Sequence, residues 1–172
     1  CNISFSLSLS CLLPRSTSSI MEILTHQLFN ADEVERIYKK VIKDKSSWVD
    51  GKKTAGSQAA IQKNNKQLLR ESKTSKEQSQ LIIQKMYSDL LIKSFCLPKS
   101  LHGLMFSKAS TGQGYGMHLD NAFMSSGRSD LSFTLFLNDP SQYAGGELII
   151  QSLQKTEKVK LNAGQVIIYP ST

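Results

Sequence analysis

The chain has 172 residues, 40% hydrophobic and 20% charged, which suits one globular domain and excludes a disordered or low-complexity protein. No run of 18 apolar residues exists, so no membrane-spanning helix is expected. The net charge of +7 is lopsided, with 15 Lys/Arg against 9 Asp/Glu over residues 21–100 and 5 against 5 over residues 101–172.

The basic surplus includes Lys39, Lys40, Lys43, Lys45, Lys52, Lys53, Lys63, Lys66, Arg70, Lys73 and Lys76. Two readings stand, a solvated helix-and-loop surface and a nucleic-acid face. No aromatic residue falls between 50 and 80, so a base-stacking platform is disfavoured and the solvated surface is the expectation. Cys1, Cys11 and Cys96 are odd in number and widely spaced, which fits neither a disulfide framework nor a zinc site. A reducing compartment, the cytoplasm, is expected.

In chain order, the first twenty residues start without methionine, are rich in serine and precede Met21. Their only charge, Arg15, follows the apolar stretch, whereas a secretory signal carries its charge before it. Residues 1–20 are therefore expected to be an unstructured or untranslated leader, with a degenerate targeting segment as the alternative, and residues 21–172 to be the domain. Asn30 and Glu33 have the spacing of a capping box, and Val34, Ile37, Tyr38, Val41 and Ile42 follow the period of a helix buried on one face. Trp48 begins an extended piece, and the polar residues 50–72 read as a loop. A second helix is expected over 75–94, opened by Thr74 or Ser75, with Ile83, Met86, Tyr87, Leu90 and Leu91 buried and Pro98 ending it.

From residue 103 the period becomes two. Strands are expected at about 103–109, 115–120, 131–137, 147–152, 157–161 and 165–169, separated by glycine-, asparagine- and proline-rich turns. Leu131, Phe133, Leu135 and Leu137 alternate with Ser132 and Thr134. Two helices followed by these strands predict an α+β, mainly β, fold: a double-stranded β-helix, or jelly roll, buttressed by two N-terminal helices. A jelly roll has eight strands and six are legible, so a C-terminally truncated domain is expected.

His118-Leu119-Asp120 carries the chemistry. On a strand, residues i and i+2 share a face, so an imidazole and a carboxylate would converge on one point. Two such groups with a distant histidine make the facial triad that holds iron(II) and leaves positions open. The tripeptide alone fits a surface histidine–aspartate pair equally well. The residues around it add more. The stretch from Gly114 to Ala122 resembles the metal-binding strand of PKHD-type hydroxylases, iron(II)- and 2-oxoglutarate-dependent dioxygenases related to prolyl hydroxylases and associated with iron uptake. Arg128 to Pro140, Tyr143 to Leu148, and Asn162-Ala163-Gly164 through Tyr169-Pro170-Ser171 are similar to the segments that follow in that family. Trp48 to Gly51, Thr54-Ala55-Gly56, Gln58-Ala59 and Lys63-Asn64-Asn65 resemble its N-terminal signature, so the resemblance runs in order from about Met21 to Thr172.

The resemblance implies that His118 and Asp120 are two of three iron ligands. It places the third, a histidine, about three residues beyond Thr172, and the arginine that pairs with 2-oxoglutarate further on. On the family pattern alone, Lys63-Asn64-Asn65 would face the substrate mouth. The chain departs from the family at Ser107-Lys108-Ala109, where Asn-Arg-Tyr is usual. If that tyrosine holds cosubstrate in relatives, Tyr115 is the candidate to replace it, packing beside Gly114 and Gly116 being the duller role. Asp130 reads as a loop-closing carboxylate or a group orienting a ligand, and Gly145 and Gly146 as turn residues at positive φ. His26 and His102 are expected to be ordinary.

The implied reaction couples decarboxylation of 2-oxoglutarate to succinate with hydroxylation of a small-molecule or protein substrate, and L-ascorbate would keep the iron reduced. A demethylase of the DNA-repair type shares this chemistry. The rival from another class is a non-catalytic jelly-roll binding module. With two of three ligands, the 172-residue chain alone is expected to be inactive.

Overall fold

The structure is a computed structural model that describes residues 2–11, 23–54, 60–118, 120, 123–124, 127–152 and 155–171, with backbone alone for 2–11, 54, 102 and 124. Its early elements are β1 (Asn2–Cys11), β2 (Leu24–Gln27), α1 (Ala31–Lys43), β3 (Trp48–Asp50), β4 (Lys63–Asn64) and β5 (Lys66–Leu68). Helices α2 (Lys73–Ser88) and α3 (Leu90–Cys96) follow. The later strands are β6 (Pro98–Ala109), β7 (Gly114–Tyr115), β8 (Phe123–Met124), β9 (Gly127–Arg128), β10 (Leu131–Leu135), β11 (Leu148–Gln151), β12 (Thr156–Val159) and β13 (Gln165–Pro170).

Helix α1 forms as its sequence dictates. The Asn30 side chain accepts from the Glu33 backbone N–H, and Glu33 accepts from the Asn30 N–H, each at 2.9 Å. Val34, Ile37 and Val41 are buried. The expected second helix is two helices. Asp89 ends α2 through its N–H to the Lys85 carbonyl and opens α3 by accepting from the Ile92 N–H. The first helix of this pair is capped by Ser72, ahead of the expected Thr74 or Ser75. The break also rotates the buried face: Ile82, Met86 and Ile92 are buried, whereas Leu90 is 80% exposed and Leu91 and Tyr87 lie at the surface. Leu97 takes a left-handed conformation at φ 43°, and Pro98 follows, so α3 stops where expected.

Seven strands form one antiparallel sheet in the order β2-β13-β10-β1-β6-β5-β3. Two expectations need correction here. Lys66–Leu68, expected as loop, is a strand of this sheet because its backbone pairs with both β3 and β6. Residues 2–11, expected as part of an unstructured or untranslated leader, pair as β1 between β6 and β10, which bears on the first alternative alone; residues 12–20 lie outside the described residues.

Strands β10 and β13 face two cores. Leu131, Phe133, Leu135, Val166 and Ile168 pack with Ile37, Val41, Ile82, Met86 and Ile92 beneath the helices. On the other side Phe136 and Ile167 pack with Ile150 and, at the edge, Leu148, Val159 and Tyr169. The paired β11 and β12 therefore form a second layer, and β10, buried along its whole length, is the middle of a sandwich. Each fully buried aliphatic or aromatic side chain contributes about 1.5–3 kcal/mol, against about 0–1 for an exposed ion pair such as Lys39–Glu35. Burial on the two faces of β10 and β13 holds the fold together.

At the turn before β13, Gly164 has φ +85° and its carbonyl accepts from both Leu28 and Phe29 N–H groups. A Cβ there would lie 2.2 Å from the Phe29 carbonyl oxygen, so only glycine fits.

Candidate metal centre

His118 and Asp120 do not lie on a strand as expected. The strand β7 ends at Tyr115, and both residues follow it in irregular backbone. What brings them together is hydrogen bonding rather than strand alternation. Lys63 pairs with Tyr115 and Asn64 with Gly114 across β4 and β7, and the Gly116 N–H donates to the Gln62 carbonyl at 2.9 Å. A Cβ on Gly116 would fall 2.6 Å from Gln62 Oε1 and 3.0 Å from its Cβ, so glycine permits this close approach.

The Gly116 carbonyl then lies 2.8 Å from His118 Nδ1. A carbonyl only accepts, so Nδ1 carries the hydrogen, and in the neutral ring Nε2 keeps its lone pair. Nε2 lies 3.4 Å from Asp120 Oδ1, with the two side chains 29% and 22% exposed, open enough for an ion to reach. The other carboxylate oxygen, Oδ2, accepts from the Ser132 hydroxyl at 2.5 Å, and Ser132 Oγ lies 2.9 Å from Ser171 Oγ.

These contacts set the charges. The hydrogen bond to Asp120 raises the His118 pKa, against the opposing effect of burial, with the Gly116 carbonyl and the Asp120 charge helping. Burial opposes ionisation of Asp120, but hydrogen bonds from His118 and Ser132 and the His118 charge outweigh it and hold the carboxyl below its ordinary value. Burial first, and the Asp120 charge second, push Tyr115 and Tyr169 upward. Burial, with Arg70 nearby, pushes the Lys63 ammonium down to about 8.

The donor set fits iron(II). One imidazole nitrogen and one carboxylate oxygen lie 3.4 Å apart, and these are two of the donor types that iron(II) takes. The second nitrogen and the second oxygen are already hydrogen-bonded, as ligands to a metal require. Among the described residues no third histidine, cysteine or carboxylate joins the pair.

Tyr115 is the third residue singled out in the sequence, and its ring stacks on His118 with centroids 3.7 Å apart and planes 18° from parallel. His26 does not join them; its Nε2 lies 2.8 Å from Asp89 Oδ2 at the junction of α2 and α3. His102 lies within β6. Asp130 pairs with Arg128, and Lys108 of the divergent Ser107-Lys108-Ala109 stretch sits 4.1 Å above the Trp48 ring. Gly145 and Gly146 have φ 67° and 71°, as turn residues. A groove of about 450 Å³ between α1 and α2 is lined by Phe29, Glu33, Arg36, Lys40, Gln78 and Leu81, and none of His118, Asp120 and Tyr115 borders it.

The sequence does not mark Ser132 and Ser171 as neighbours of Asp120, nor Lys63 as a neighbour of the Tyr115 ring. Ser132 is legible only as the polar half of an alternating strand, and Ser171 and Lys63 only as parts of motifs.

The profile of the 2OG-Fe(II) oxygenase superfamily matches residues 104–172. A PKHD-type hydroxylase of Prochlorococcus marinus strain MIT 9313 is 62% identical over 152 residues, which are 88% of this chain and 69% of that protein. Relatives of the same description from strains MIT 9303 and MIT 9211 are 60% and 56% identical over the same shares.

The chain belongs to the PKHD-type hydroxylase family.

Membership in this family of 2OG-Fe(II) oxygenases brings the jelly-roll fold and implies iron(II) and 2-oxoglutarate, and it does not favour the reading as a non-catalytic binding module. The matched segment of this PKHD-type hydroxylase homologue begins in β6 and contains His118, Asp120, Ser132 and Ser171 together. No described helix is long and apolar enough to cross a membrane.

Proposed function

We propose that this protein is a hydroxylase in which His118 and Asp120 hold iron(II), with oxygen and 2-oxoglutarate consumed and succinate and carbon dioxide released. The observation that carries the proposal is the oriented pair: His118 turns Nε2 toward Asp120 Oδ1 because Nδ1 is committed to the Gly116 carbonyl. When bound, the iron and its cosubstrate supply the oxidation of a C–H bond. His118 would contribute a neutral nitrogen, Nε2, with its hydrogen kept on Nδ1 at the Gly116 carbonyl. Asp120 offsets part of the metal's charge, and Ser132 with Ser171 keeps its carboxylate from turning away.

The third ligand in this reading is the histidine that the resemblance puts shortly after Thr172. The position of Ser171 supports it, because the end of β13 is tied through Ser132 to Asp120. Tyr115, stacked on His118, is the proposed contact for the cosubstrate, and L-ascorbate the proposed reductant. The substrate is proposed to be a small molecule or a protein, and the location the cytoplasm. Reading the basic half as solvated surface is supported by exposed pairs such as Lys39–Glu35 and Lys73–Glu77.

The test is His118→Ala and Asp120→Ala in a protein that carries the proposed third ligand as well, with metal affinity, succinate release and circular dichroism measured on the same samples. Loss of a direct ligand should exceed the roughly 10–100-fold cost of a supporting residue, so both variants should lose metal and turnover while staying folded. Wild-type turnover in either folded variant would refute the assignment.

A further inference from the structure

The histidine of this site sits on backbone with little of its own to hold it. Strand β7 is two residues long and pairs with only the two residues of β4. Among the described residues, His118 is hydrogen-bonded to the chain at Gly116, meets Asp120 through Nε2 and stacks on the Tyr115 ring. A ligand left free to rotate would lose that freedom when it binds an ion, and affinity would fall accordingly.

Lys63 occupies an unusual place in this arrangement. Lysine is seldom fully buried, yet Lys63 is 2% exposed, and its Nζ lies 4.7 Å from the centroid of the Tyr115 ring. That ring stacks on the His118 imidazole at 3.7 Å. Lys63 and Tyr115 are also register partners across β4 and β7, so one short pairing sets both the backbone and the side-chain contact. On the neighbouring residue the Gln62 carbonyl holds the Gly116 N–H, while the Gly116 carbonyl holds His118. Two parallel routes therefore run from β4 to the same imidazole, one through the peptide of Gly116 and one through the Tyr115 ring.

We infer that Lys63 is a positioning residue for the metal site: buried against Tyr115, it fixes the ring on which His118 is stacked and so sets the orientation in which Nε2 meets the ion. The inference rests on the reading of His118 as a metal ligand. A cation over an aromatic face is attracted by the ring quadrupole, and Lys63 makes this contact from a buried position against a Tyr115 that is itself 36% exposed. Met at this position would fill similar space and lose the attraction; Arg would keep it. Phe at position 115 would keep the stack, and Leu would abolish it.

The test uses cobalt(II) as the probe, titrated into the full chain and followed by its visible absorption, which reports ligand geometry apart from turnover. Lys63→Met and Tyr115→Leu should each weaken cobalt binding about 10-fold or more and change the band shape, the scale expected of a residue that orients a ligand. Lys63→Arg and Tyr115→Phe should stay within about 3-fold of wild type with an unchanged spectrum, since the cation and the stack remain. A folded Lys63→Met variant with wild-type affinity and spectrum overturns the inference. If Lys63→Met does not fold, the two tyrosine variants decide. Equal losses in Tyr115→Phe and Tyr115→Leu overturn the stack as the agent and point to the phenol hydroxyl instead. His118→Ala is the control: cobalt binding lost there, with Lys63→Met unaffected, leaves the metal site standing and removes only the role of Lys63. Cobalt binding retained in His118→Ala removes the metal reading itself.

Discussion

Asp120 is held from two sides, and the two holds do different work. Its Oδ1 faces His118 Nε2, the other group proposed to hold the ion, while Oδ2 accepts from Ser132, which is itself within 2.9 Å of Ser171 Oγ. Ser132 and Ser171 are 1% and 6% exposed, so water does not readily replace either hydroxyl. Ser132→Ala should therefore lower metal affinity by about 10-fold while leaving both proposed ligands, His118 and Asp120, in place. A calorimetric titration with manganese(II) checks it, and an affinity within about 2-fold of wild type would mean that Asp120 needs no such support.

Helix α1 and the pair α2 and α3 are set by caps. The capping box of Asn30 and Glu33 satisfies two N–H groups that the first turn of α1 cannot, and Glu33 also reaches Lys85 of α2 at 3.1 Å. Asn30→Ala should cost about 0.5–2 kcal/mol, a fall in Tm of about 2–6 °C for a chain of this size. The hydrogen bond from the Asn30 backbone, aided by Lys85 and opposed by burial, holds the Glu33 carboxyl below its ordinary value. A depressed carboxyl stabilises the fold fully above its unfolded pKa, and the contribution is lost as pH falls through the folded value. Thermal melts from pH 7 down to about 3 should thus show a shallower acid decline in Glu33→Gln than in wild type, with the difference confined below about pH 5. Parallel curves would remove Glu33 from the acid response. Asp89 also serves more than one element: it ends α2, begins α3 and pairs with His26 of β2.

Across the molecule, β1 has the largest consequence. It lies between β6 and β10, so its backbone pairing joins strands otherwise apart in the sheet. Deleting residues 1–20 would leave β6 and β10 each with an unpaired edge, and the Tm should fall by about 5 °C or more, the equivalent of over 1 kcal/mol. A Tm within about one degree of the undeleted chain would instead make these residues a leader outside the fold in solution.

Local patterns were legible from the sequence alone, because they depend on neighbours in the chain. The capping box, the buried stripe of α1, the stop at Pro98 and the alternation in β10 all follow from spacing. His118, Asp120 and Tyr115 could also be named as candidates, by type and by resemblance. What the sequence hid was set by partners distant along the chain. The polar run 50–72 held two strands because β6 and β7, some 40 to 50 residues away, supply their pairing. The segment Asn2–Cys11 alternates Ser4, Ser6, Ser8 and Ser10 with Ile3, Phe5, Leu7 and Leu9, a strand signal outweighed by its position before Met21. Asp89 split the second helix because a capping carboxylate with a histidine partner on β2 outweighs continued apolar periodicity. The sequence by itself determined which groups could bind a metal. The tertiary structure decided how they meet, since the Gly116 carbonyl, Ser132 and Ser171 turn His118 Nε2 and Asp120 Oδ1 toward each other only after β4, β10 and β13 have come together.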